Sequence, residues 1–348
     1  MNYLETAETF GDVYIQPKKS DIPTRTDINI STFLKSFKLT LPVISANMKD
    51  ITGPKMAHEM RKNGGLGILH RFNTIEQAVS DYLNVHDDRI AGVSIGVQEE
   101  DKKRFEALYK AGARIFCIDV SHGHNMNVHN MLTWINNELF LWDRSSRGQV
   151  CLIAGNIATA EAAYDIAEWG ADVVKVGIGP GRVCQTRQRT GVGVPQLYAI
   201  RDVYEEIQRQ HLDINIIADG GITSSGDVAK ALKYADAVMV GSVLAGTSET
   251  PGNVYPEPGT NLVNRQYYKV YGGSASMENK VSNGERSRFV EGEMIKVPFK
   301  GHVKYILREI EDGIRSAFSF VGAYCLKDFR DNCELRLMST SGRMESKI

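Results

Sequence analysis

The chain has 348 residues, with 41 lysines and arginines against 42 aspartates and glutamates, which gives a formal net charge of −1. This balance argues against a nucleic-acid-binding protein, because such proteins usually carry an excess of basic residues. With 42% hydrophobic and 24% charged residues, the composition is typical of a soluble globular protein and excludes a disordered one. No apolar run approaches the roughly 18 residues that would span a bilayer, so we expect no contact with a membrane.

The first ten residues, MNYLETAETF, lack the basic and then apolar pattern of a signal peptide. The cysteines show no CxxC spacing and therefore predict free thiols, not a disulfide framework or a zinc site. They are Cys117, Cys151, Cys184, Cys325 and Cys333. Both observations predict a cytoplasmic protein. The final Ser-Lys-Ile is similar to the peroxisomal address Ser-Lys-Leu, which makes a peroxisome-like organelle the alternative location.

Eight short apolar runs recur along the chain and predict the strands of one barrel. Most are nearly continuous, as expected for parallel strands that are covered on both faces. They are 41-LPVISANM-48, 65-GLGILHR-71, 91-AGVSIGV-97, 113-ARIFCIDVS-121, 150-VCLIAGNI-157, 172-DVVKVGIG-179, 215-NIIADGGI-222 and 237-AVMVGSVLAG-246. Helical patterns lie between them, for example over 54–64, 159–170 and 225–235. Alternating strands and helices of this number predict the α/β fold class and a (β/α)8 TIM barrel.

We expect a single TIM-barrel domain over residues 1–348. The polar and charged stretch 276–293 has almost no apolar periodicity and predicts a mobile flap. The pattern over 302–322 predicts an amphipathic helix that returns to the barrel. The expected parts are an N-terminal lead (1–40), the barrel (41–246), the flap (about 272–300) and a C-terminal helical extension (302–348).

Two glycine clusters, 219-DGG-221 and 241-GS-242, follow the seventh and eighth predicted strands. Many TIM barrels bind phosphate at this place through backbone N–H groups. The clusters therefore predict a phosphorylated ligand, and Asp219 is placed to accept hydrogen bonds from ribose hydroxyls. In the alternative interpretation the two clusters are ordinary turns. The glycines then only allow the backbone to turn, and the aspartate caps a helix.

The loop 177-GIGPGRVCQTRQRTGVGVPQ-196 follows the sixth strand and presents Cys184 among basic residues and glycines. It is not a dinucleotide-binding fingerprint, because the GxGxxG spacing is absent and Pro180 interrupts the position where the helix would begin. A cysteine in such a loop is a good nucleophile. Cys117 and Cys151 lie inside strand runs, where we expect them to be small core residues.

Together these motifs resemble the family of IMP dehydrogenase and GMP reductase over essentially the whole chain. The matching segments are 44-ISANM-48, 118-IDVSHGH-124, 154-AGN-156, 177-GIGPGRVCQTR-187, 190-TGVGVPQ-196, 218-ADGGI-222, 240-VGSVLAG-246, 273-GSAS-276 and 291-EGEMIKVPFKG-301. The resemblance implies that the thiolate of Cys184 attacks C2 of a purine nucleotide. A covalent intermediate forms, and a nicotinamide exchanges a hydride at that carbon.

The resemblance is closest to the reductase branch of this family. Dehydrogenases carry an Arg-Tyr pair on the flap that activates water, and no Arg-Tyr dipeptide occurs in this chain, where the nearest candidate is Arg288-Phe289. The flap is short, as in reductases. Only one helix's length of chain separates Leu69 from Val93, where dehydrogenases usually insert a nucleotide-sensing domain. The reductase branch implies NADPH-dependent reductive deamination of GMP to IMP and ammonia, a step in purine interconversion and salvage.

Site residues follow from the resemblance, residue by residue. Cys184 is the nucleophile, and Thr186 with Glu291 forms the dyad that protonates the departing ammonia. The substrate residues are Asp219, Gly220, Gly221, Gly241, Ser242, Tyr271, Gly273, Ser274, Ala275, Arg288 and Gly292. The NADPH residues are Arg25, Arg71, Asp119, Val120, Ser121, Ile178 and Gly179, with Ser316 and Ser319 reaching a neighbouring subunit's cofactor. Carbonyls of Gly179, Gly181 and Cys184 match a potassium site.

The resemblance also implies a homotetramer. Two positions depart from the family pattern: Lys49 replaces an aspartate after Asn-Met, and Arg182 replaces the commoner serine before Val-Cys, although some bacterial-type reductases share this arginine. His122 and His124 are not interpreted as metal ligands, because their spacing places the two side chains apart.

Three other functions fit part of the sequence. An IMP dehydrogenase without the sensing domain would use NAD and form XMP. A purine-nucleotide-binding regulator would keep the phosphate glycines without turnover. An FMN-dependent TIM barrel would share the phosphate site but has no need of Cys184.

Overall fold

A computed structural model describes residues 6–85, 90–142, 146–259, 265–273 and 293–345 of the chain. Its strands are β1 Val13–Ile15, β2 Thr32–Leu34, β3 Phe37–Leu39, β4 Val43–Ser45, β5 Leu66–Leu69, β6 Gly92–Ile95, β7 Ile115–Asp119, β8 Cys151–Ile157, β9 Val173–Val176, β10 Asn215–Asp219, β11 Ala237–Val240, β12 Tyr255–Pro256, β13 Tyr267–Gly272, β14 Met294–Pro298 and β15 Leu335–Leu337. Its helices are α1 Pro54–Lys62, α2 Ile75–Leu83, α3 Glu99–Lys110, α4 Met126–Trp142, α5 Ser146–Gln149, α6 Ala160–Glu168, α7 Thr186–Thr190, α8 Gln196–Gln210, α9 Ser225–Leu232, α10 Val303–Phe320, α11 Leu326–Asn332 and α12 Thr340–Glu345.

Strands β4 to β11 pair in parallel in chain order, and β11 pairs back with β4 to close an eight-stranded barrel. Each of these strands lies inside one of the eight predicted apolar runs, so the predicted (β/α)8 architecture is confirmed. The predicted helices are also confirmed as α1, α6, α9 and the long amphipathic α10. Pro54 begins α1, where its missing N–H costs no hydrogen bond.

The barrel has an inner and an outer apolar core. The inner core lies inside the ring of barrel strands and includes Ile68, Ile153 and Met239, which are at most 1% exposed. The outer core lies between the strands and the surrounding helices. Gly67 is needed in this outer layer, because a side chain there would collide with the backbone of Ala57 in α1.

The N-terminal lead contains a plug for the barrel that the sequence did not predict. The hairpin of β2 and β3 turns at Lys35, whose backbone N–H donates to Oδ1 of Asn215 at 2.8 Å. The ammonium of Lys35 donates to the carbonyl of Val150 at 2.6 Å and pairs with Asp172 at 3.1 Å. These partners lie at or just before the first residues of β10, β8 and β9. The hairpin therefore closes the N-terminal end of the barrel, and ligands reach the barrel from its other end.

The segments outside the barrel pack on its flank and over its C-terminal end. β1 and β15 pair in an antiparallel ribbon, while β12, β13 and β14 form a three-stranded sheet. Helix α10 packs on α9, where Gly313 leaves room for Ser225. Within the described ranges, no helix is both long enough and apolar enough to cross a bilayer. Most of the predicted flap, residues 274–292, lies outside the described residues.

Candidate active site

A cavity of about 360 Å³ opens at the C-terminal ends of the barrel strands. It is lined by residues that the sequence assigned to separate roles, as the nucleophile, in substrate binding and in cofactor binding. Those residues are Cys184, Thr186, Asp219, Tyr271, Gly273, Arg71, Asp119, Val120, Ser121, Ile178, Gly179 and Gly181. The position agrees with the rule that TIM barrels carry their chemistry at this end.

Cys184 lies in this cavity on the loop between β9 and α7. Its backbone N–H donates to the carbonyl of Gly181 at 3.0 Å, which forms a tight turn just before the thiol. The Sγ atom is 3.1 Å from Oγ1 of Thr186, the first residue of α7. Cys184 is only partly buried. By contrast, Cys117 and Cys151 are fully buried as predicted, and burial raises the pKa of the Cys117 thiol to about 12. An accessible thiol beside a hydroxyl is therefore found at Cys184.

Two contacts hold the cysteine loop in place. The side chain of Arg187 passes between two glycines, since a Cβ at Gly179 or at Gly193 would lie 2.6 Å from its Cγ atom. This explains why glycines flank the basic segment of the loop. The base of the predicted flap supplies the second contact, because the backbone N–H of Glu293 donates to the carbonyl of Val183 at 3.2 Å. The flap base is thus bonded to the residue directly before the nucleophile.

The predicted phosphate loops lie beside the cysteine loop. Gly220 and Gly221 have φ angles of +92° and +77°, which favour glycine, and Gly220 packs against Pro180. A Cβ at Gly241 would lie 3.2 Å from the hydroxyl of Tyr271, so this hydroxyl packs directly against the loop. Tyr271 is 3% exposed, and burial raises the pKa of its phenol. Ser242 faces an adjoining cavity of about 300 Å³.

A buried lysine, Lys175, connects the predicted substrate and cofactor residues. Its ammonium lies 2.9 Å from Oδ2 of Asp219 and 3.1 Å from Oδ1 of Asp119, and it also donates to Oδ1 of Asn156. Burial alone would lower the pKa of Lys175, but the two carboxylates outweigh burial and raise it. Burial alone would raise the pKa of Asp119, but the charges of Lys175 and Arg71 and the hydrogen bonds from Asn47 and Lys175 together lower it. The lysine therefore stays charged between two carboxylates.

Amide side chains complete this network. Nδ2 of Asn156 donates to Asp219 at 2.9 Å and to the carbonyl of Gly177 at 2.6 Å. Asn47 hydrogen-bonds the side chain of Asp119. Lys175 and both asparagines line the cavity, yet the sequence assigned no site role to them. The available signal was a single charged residue inside the apolar run 172-DVVKVGIG-179, because such a residue must be buried with partners.

The predicted cofactor residues fall into two groups. Arg71, Asp119, Val120, Ser121, Ile178 and Gly179 line the cavity. Arg25, Ser316 and Ser319 do not line it: Arg25 lies against α10, where its carbonyl accepts from Arg315 at 3.4 Å. The hydroxyls of Ser316 and Ser319 donate to carbonyls within α10. Glu291, Ser274, Ala275, Arg288 and Gly292 lie outside the described residues.

The two histidines of the 118-IDVSHGH-124 motif do not form a metal site. Their ring centroids are 6.4 Å apart, and Nε2 of His124 lies 2.7 Å from Oδ2 of Asp165. In the part of the chain that the structure describes, no group of three or more His, Cys, Asp or Glu side chains is arranged to hold a metal ion. The described side chains thus offer no transition-metal site.

We expect His70, just before Arg71, to make folding sensitive to acid. Burial lowers its pKa from 6.5 to about 4, despite the nearby charge of Asp81, and its Nδ1 atom accepts the backbone N–H of Phe72 at 3.1 Å. Below about pH 6.5 the imidazole of His70 is protonated in the unfolded chain but stays neutral in the folded chain. The free energy of unfolding therefore falls as the pH falls towards 4. From about pH 6.5 to about pH 5 this costs about 2 kcal/mol.

The measurement is urea unfolding of the wild type and of His70→Asn at several pH values. The asparagine keeps an acceptor near the Phe72 N–H but does not titrate, so its free energy of unfolding should fall less steeply with acid. His122→Asn, at an exposed histidine, is the matched control and should follow the wild type. Parallel curves for the wild type and His70→Asn would contradict a neutral His70.

Comparison with known proteins gives a consistent result. The family model described as "IMP dehydrogenase / GMP reductase domain" matches residues 7–348. Similar curated proteins include the GMP reductase of Acidovorax sp. (strain JS42), 36% identical over 327 residues that cover 92% of this chain and 93% of the relative. Another is the GMP reductase of Chromobacterium violaceum, 33% identical over 331 residues that cover 94% and 97%. A crystal structure of a cysteine-to-alanine variant of GMP reductase from Trypanosoma brucei, in complex with guanosine 5'-monophosphate, matches with a TM-score of 0.89 at 26% identity, over 99% of this chain and 98% of that one.

Proposed function

The chain belongs to the IMP dehydrogenase/GMP reductase family, and we propose that it is a GMP reductase that converts GMP to IMP and ammonia with NADPH as the reductant. One observation carries this proposal. The thiol of Cys184 lies 3.1 Å from the hydroxyl of Thr186, in the cavity that also holds Asp219 and Tyr271. A nucleophile, a proton-transferring hydroxyl and nucleotide-binding groups therefore share one space.

The substrate is held along one side of this cavity. Its phosphate binds the backbone at Gly220, Gly221, Gly241 and Ser242, with the Tyr271 hydroxyl above Gly241, because glycines allow close approach of an anion to N–H groups. Its ribose hydroxyls donate to Asp219. This placement brings the purine towards Cys184. Gly273, directly after β13, is assigned to the base, as are Ser274, Ala275, Arg288 and Gly292.

The covalent step takes place at C2 of the purine. The thiolate of Cys184 forms a bond from Sγ to C2, the bond from C2 to the exocyclic nitrogen breaks, and the nitrogen leaves as ammonia. After C2 has gained a hydride, the bond to Sγ breaks and IMP and the thiolate are released. The backbone turn from Gly181 to Cys184 holds the nucleophile at the wall of the cavity.

The departing amine needs a proton, and Thr186 with Glu291 supplies it. Thr186 is already within hydrogen-bonding distance of the nucleophile. Glu291 lies two residues before Glu293, whose backbone N–H bonds the carbonyl of Val183. Closure of the flap over the adduct excludes water. This exclusion decides the product, because hydrolysis of the adduct would give XMP.

NADPH fits the opposite side of the cavity. Arg71 donates from Nε to the carbonyl of Asp119 at 3.2 Å, and Val120 and Ser121 continue this wall. When bound, NADPH supplies a hydride to C2 of the purine. A guanidinium at Arg71 suits the additional phosphate of this cofactor. Ile178 and Gly179 belong to the same subsite, while Ser316 and Ser319 act across a subunit boundary in the proposed homotetramer. Arg25 was assigned to the same cofactor but does not line this cavity.

A potassium ion fits the cysteine loop. The carbonyl groups of Gly179, Gly181 and Cys184 are neutral oxygen donors, which suit a weakly coordinating monovalent cation. Gly179 has a φ of +85° and Gly181 accepts the N–H of Cys184, so the loop already has a turned backbone. The ion would hold the three carbonyls, and thereby Cys184, in position.

Organisation and location are part of the same proposal. Residues 1–348 form one barrel domain without an inserted sensing domain, assembled as a homotetramer that light scattering on the purified protein would detect; a monomer would refute it. The free cysteines suit the reducing cytoplasm. Imaging of a tagged chain tests this location against a peroxisome-like organelle.

The deciding experiment is anaerobic incubation of the purified protein with GMP and NADPH in potassium buffer. We expect loss of NADPH absorbance together with formation of IMP and ammonia, and slower turnover when tetramethylammonium replaces potassium. A parallel incubation with IMP and NAD tests the dehydrogenase alternative. XMP from that incubation, without turnover of GMP, would refute the reductase, and binding of GMP without turnover in either would indicate a regulator.

Removing the hydroxyl of Thr186 should slow turnover without loss of substrate binding. For Thr186→Val we expect a decrease of about 10²-fold or more in kcat, the usual contribution of a proton-transferring group. Thr186→Ser should recover most of the rate, since it restores the hydroxyl. Thr190→Val, on the same helix with its hydroxyl bonded to the Thr186 carbonyl, is the matched control. Equal rates for Thr186→Val and the wild type would exclude Thr186 from proton transfer.

A further inference from the structure

One half-buried carboxylate near the cavity has no part in the proposed reaction. Asp50 lies in the loop after β4, two residues beyond Met48 of the cavity wall. Its Oδ2 atom accepts the backbone N–H of Gly272 at 2.9 Å. Gly272 is the last residue of β13 and lies between Tyr271 and Gly273, which both line the cavity. The bond therefore joins the loop after β4 to the strand that carries two proposed substrate contacts.

The end of β13 has an open edge at this point. Among the described residues, β12 pairs with β13 only at Tyr267 and Tyr268 and does not extend to Gly272. On its other side Gly272 is opposite Met294 of β14. A Cβ at Gly272 would collide with Sδ of Met294 and would lie 3.2 Å from Oδ2 of Asp50. The close approach of Asp50 to the strand thus depends on a glycine there.

The loop that carries Asp50 is itself held firmly. The backbone N–H of Thr52 donates to the carbonyl of Met48 at 3.0 Å, and its hydroxyl donates to the carbonyl of Ala46 at 2.6 Å. Thr52 is fully buried. The hydroxyl of Tyr271 donates to Sδ of Met48 at 3.8 Å. The same fixed loop therefore contacts the end of β13 twice, through Met48 and through Asp50.

The charge of Asp50 disfavours folding, so another reason is needed for the presence of this carboxylate. Burial raises the pKa of Asp50, and the N–H of Gly272 and the charge of Lys49 oppose this rise without cancelling it. Buried carboxylates usually have partners that compensate them. Lys49 replaces an aspartate of the family pattern, and an aspartate there would place a second negative charge beside Asp50. The replacement at Lys49 thus favours a carboxylate at Asp50.

We propose that Asp50 is a positioning residue for substrate binding, which holds Gly272 so that its neighbours Tyr271 and Gly273 contact GMP. The inference rests on the proposed function, which assigns these neighbours to the phosphate and the base. Asp50 is not among the described residues that line the cavity, so it acts through the strand. Its bond goes to β13 and not to the loop of Cys184. We therefore expect an effect on binding of GMP and little effect on the chemical steps.

The test compares Asp50→Ala with Asp50→Asn in steady-state kinetics and in calorimetric titration of GMP and of NADPH. Alanine removes the acceptor for the Gly272 N–H, so we expect Kd and KM for GMP to rise about tenfold, with kcat within about threefold of the wild type. Asparagine keeps an acceptor oxygen and should bring both constants to within about threefold of the wild type. The affinity for NADPH should stay the same in both variants.

Asp328→Ala is the matched control. The carboxylate of Asp328 also accepts a backbone N–H, from Tyr324 at 3.1 Å, but it lies on α11 and does not line the cavity. Its loss should leave the affinity for GMP unchanged. Thermal unfolding of each variant verifies that it is folded, and Asp50→Leu, which also lacks the acceptor, replaces Asp50→Ala if alanine unfolds the protein.

Two results would overturn the role of Asp50. One is an unchanged affinity for GMP in the variant without an acceptor. The other is an equal loss in Asp50→Asn, which would mean that the charge of Asp50 matters and its hydrogen bond does not. Failure of the proposed reaction is a different result, in which the wild type binds GMP without converting it.

Discussion

Replacing Cys184 by alanine is expected to abolish turnover of GMP, with a loss of about 10⁴-fold or more, because Cys184 is the one thiol among the described residues that line the cavity. Binding of GMP should change by only a few-fold, since the phosphate and ribose contacts come from other loops. The measurement combines the rate of NADPH oxidation with calorimetric titration of GMP.

The control for this variant is Cys325→Ala, which removes another partly exposed thiol far along the chain and should leave the rate unchanged. Mass spectrometry of acid-quenched wild type during turnover should show a nucleotide adduct on the peptide that contains Cys184. Turnover within tenfold of the wild type in Cys184→Ala would exclude covalent catalysis.

Replacing Lys175 by methionine should have the largest effect on stability. Its side chain is 2% exposed, and its ammonium neutralises both Asp119 and Asp219. Removing one partner from a buried ion pair typically costs about 3–5 kcal/mol, because the remaining charges stay buried without compensation. We expect a decrease of this size in the free energy of unfolding of Lys175→Met, measured in urea at neutral pH.

A second variant distinguishes uncompensated charge from lost packing. Combining Lys175→Met with Asp119→Asn and Asp219→Asn removes all three charges and should recover more than half of the lost stability. Lys327→Met is the matched surface control: its ion pair with Asp331 is also 2.9 Å long but largely exposed, so we expect a change below about 1 kcal/mol. No recovery in the triple variant would mean that packing, not charge, explains the loss.

Most of the barrel could be predicted because parallel strands covered on both faces leave continuous apolar runs. The site could be predicted where its chemistry is local in sequence: Cys184 and Thr186 are two residues apart, and the phosphate glycines directly follow their strands. The Lys175 network could not be predicted in the same way. Its partners lie 56 and 44 residues away on other strands, so only closure of the barrel brings them together.

The hairpin of β2 and β3 was missed for a different reason. Each strand has three residues, which is too short for an apolar period to be seen. The position of Arg25 apart from the cavity could not be predicted either, because a motif assigns a residue to a ligand without placing that residue in space. For Ser316 and Ser319 the sequence already pointed to a neighbouring subunit's cofactor.

The plug at the N-terminal end of the barrel bears on how the chain folds. Lys35 binds the carbonyl of Val150 and the side chain of Asn215, which follow it by 115 and 180 residues. During synthesis, the contact between the hairpin and Asn215 therefore cannot form until β10 has left the ribosome. Closing loops of this length before the contacts form slows folding. The hairpin of β2 and β3 is thus expected to close the barrel late, although it is synthesised before the barrel strands.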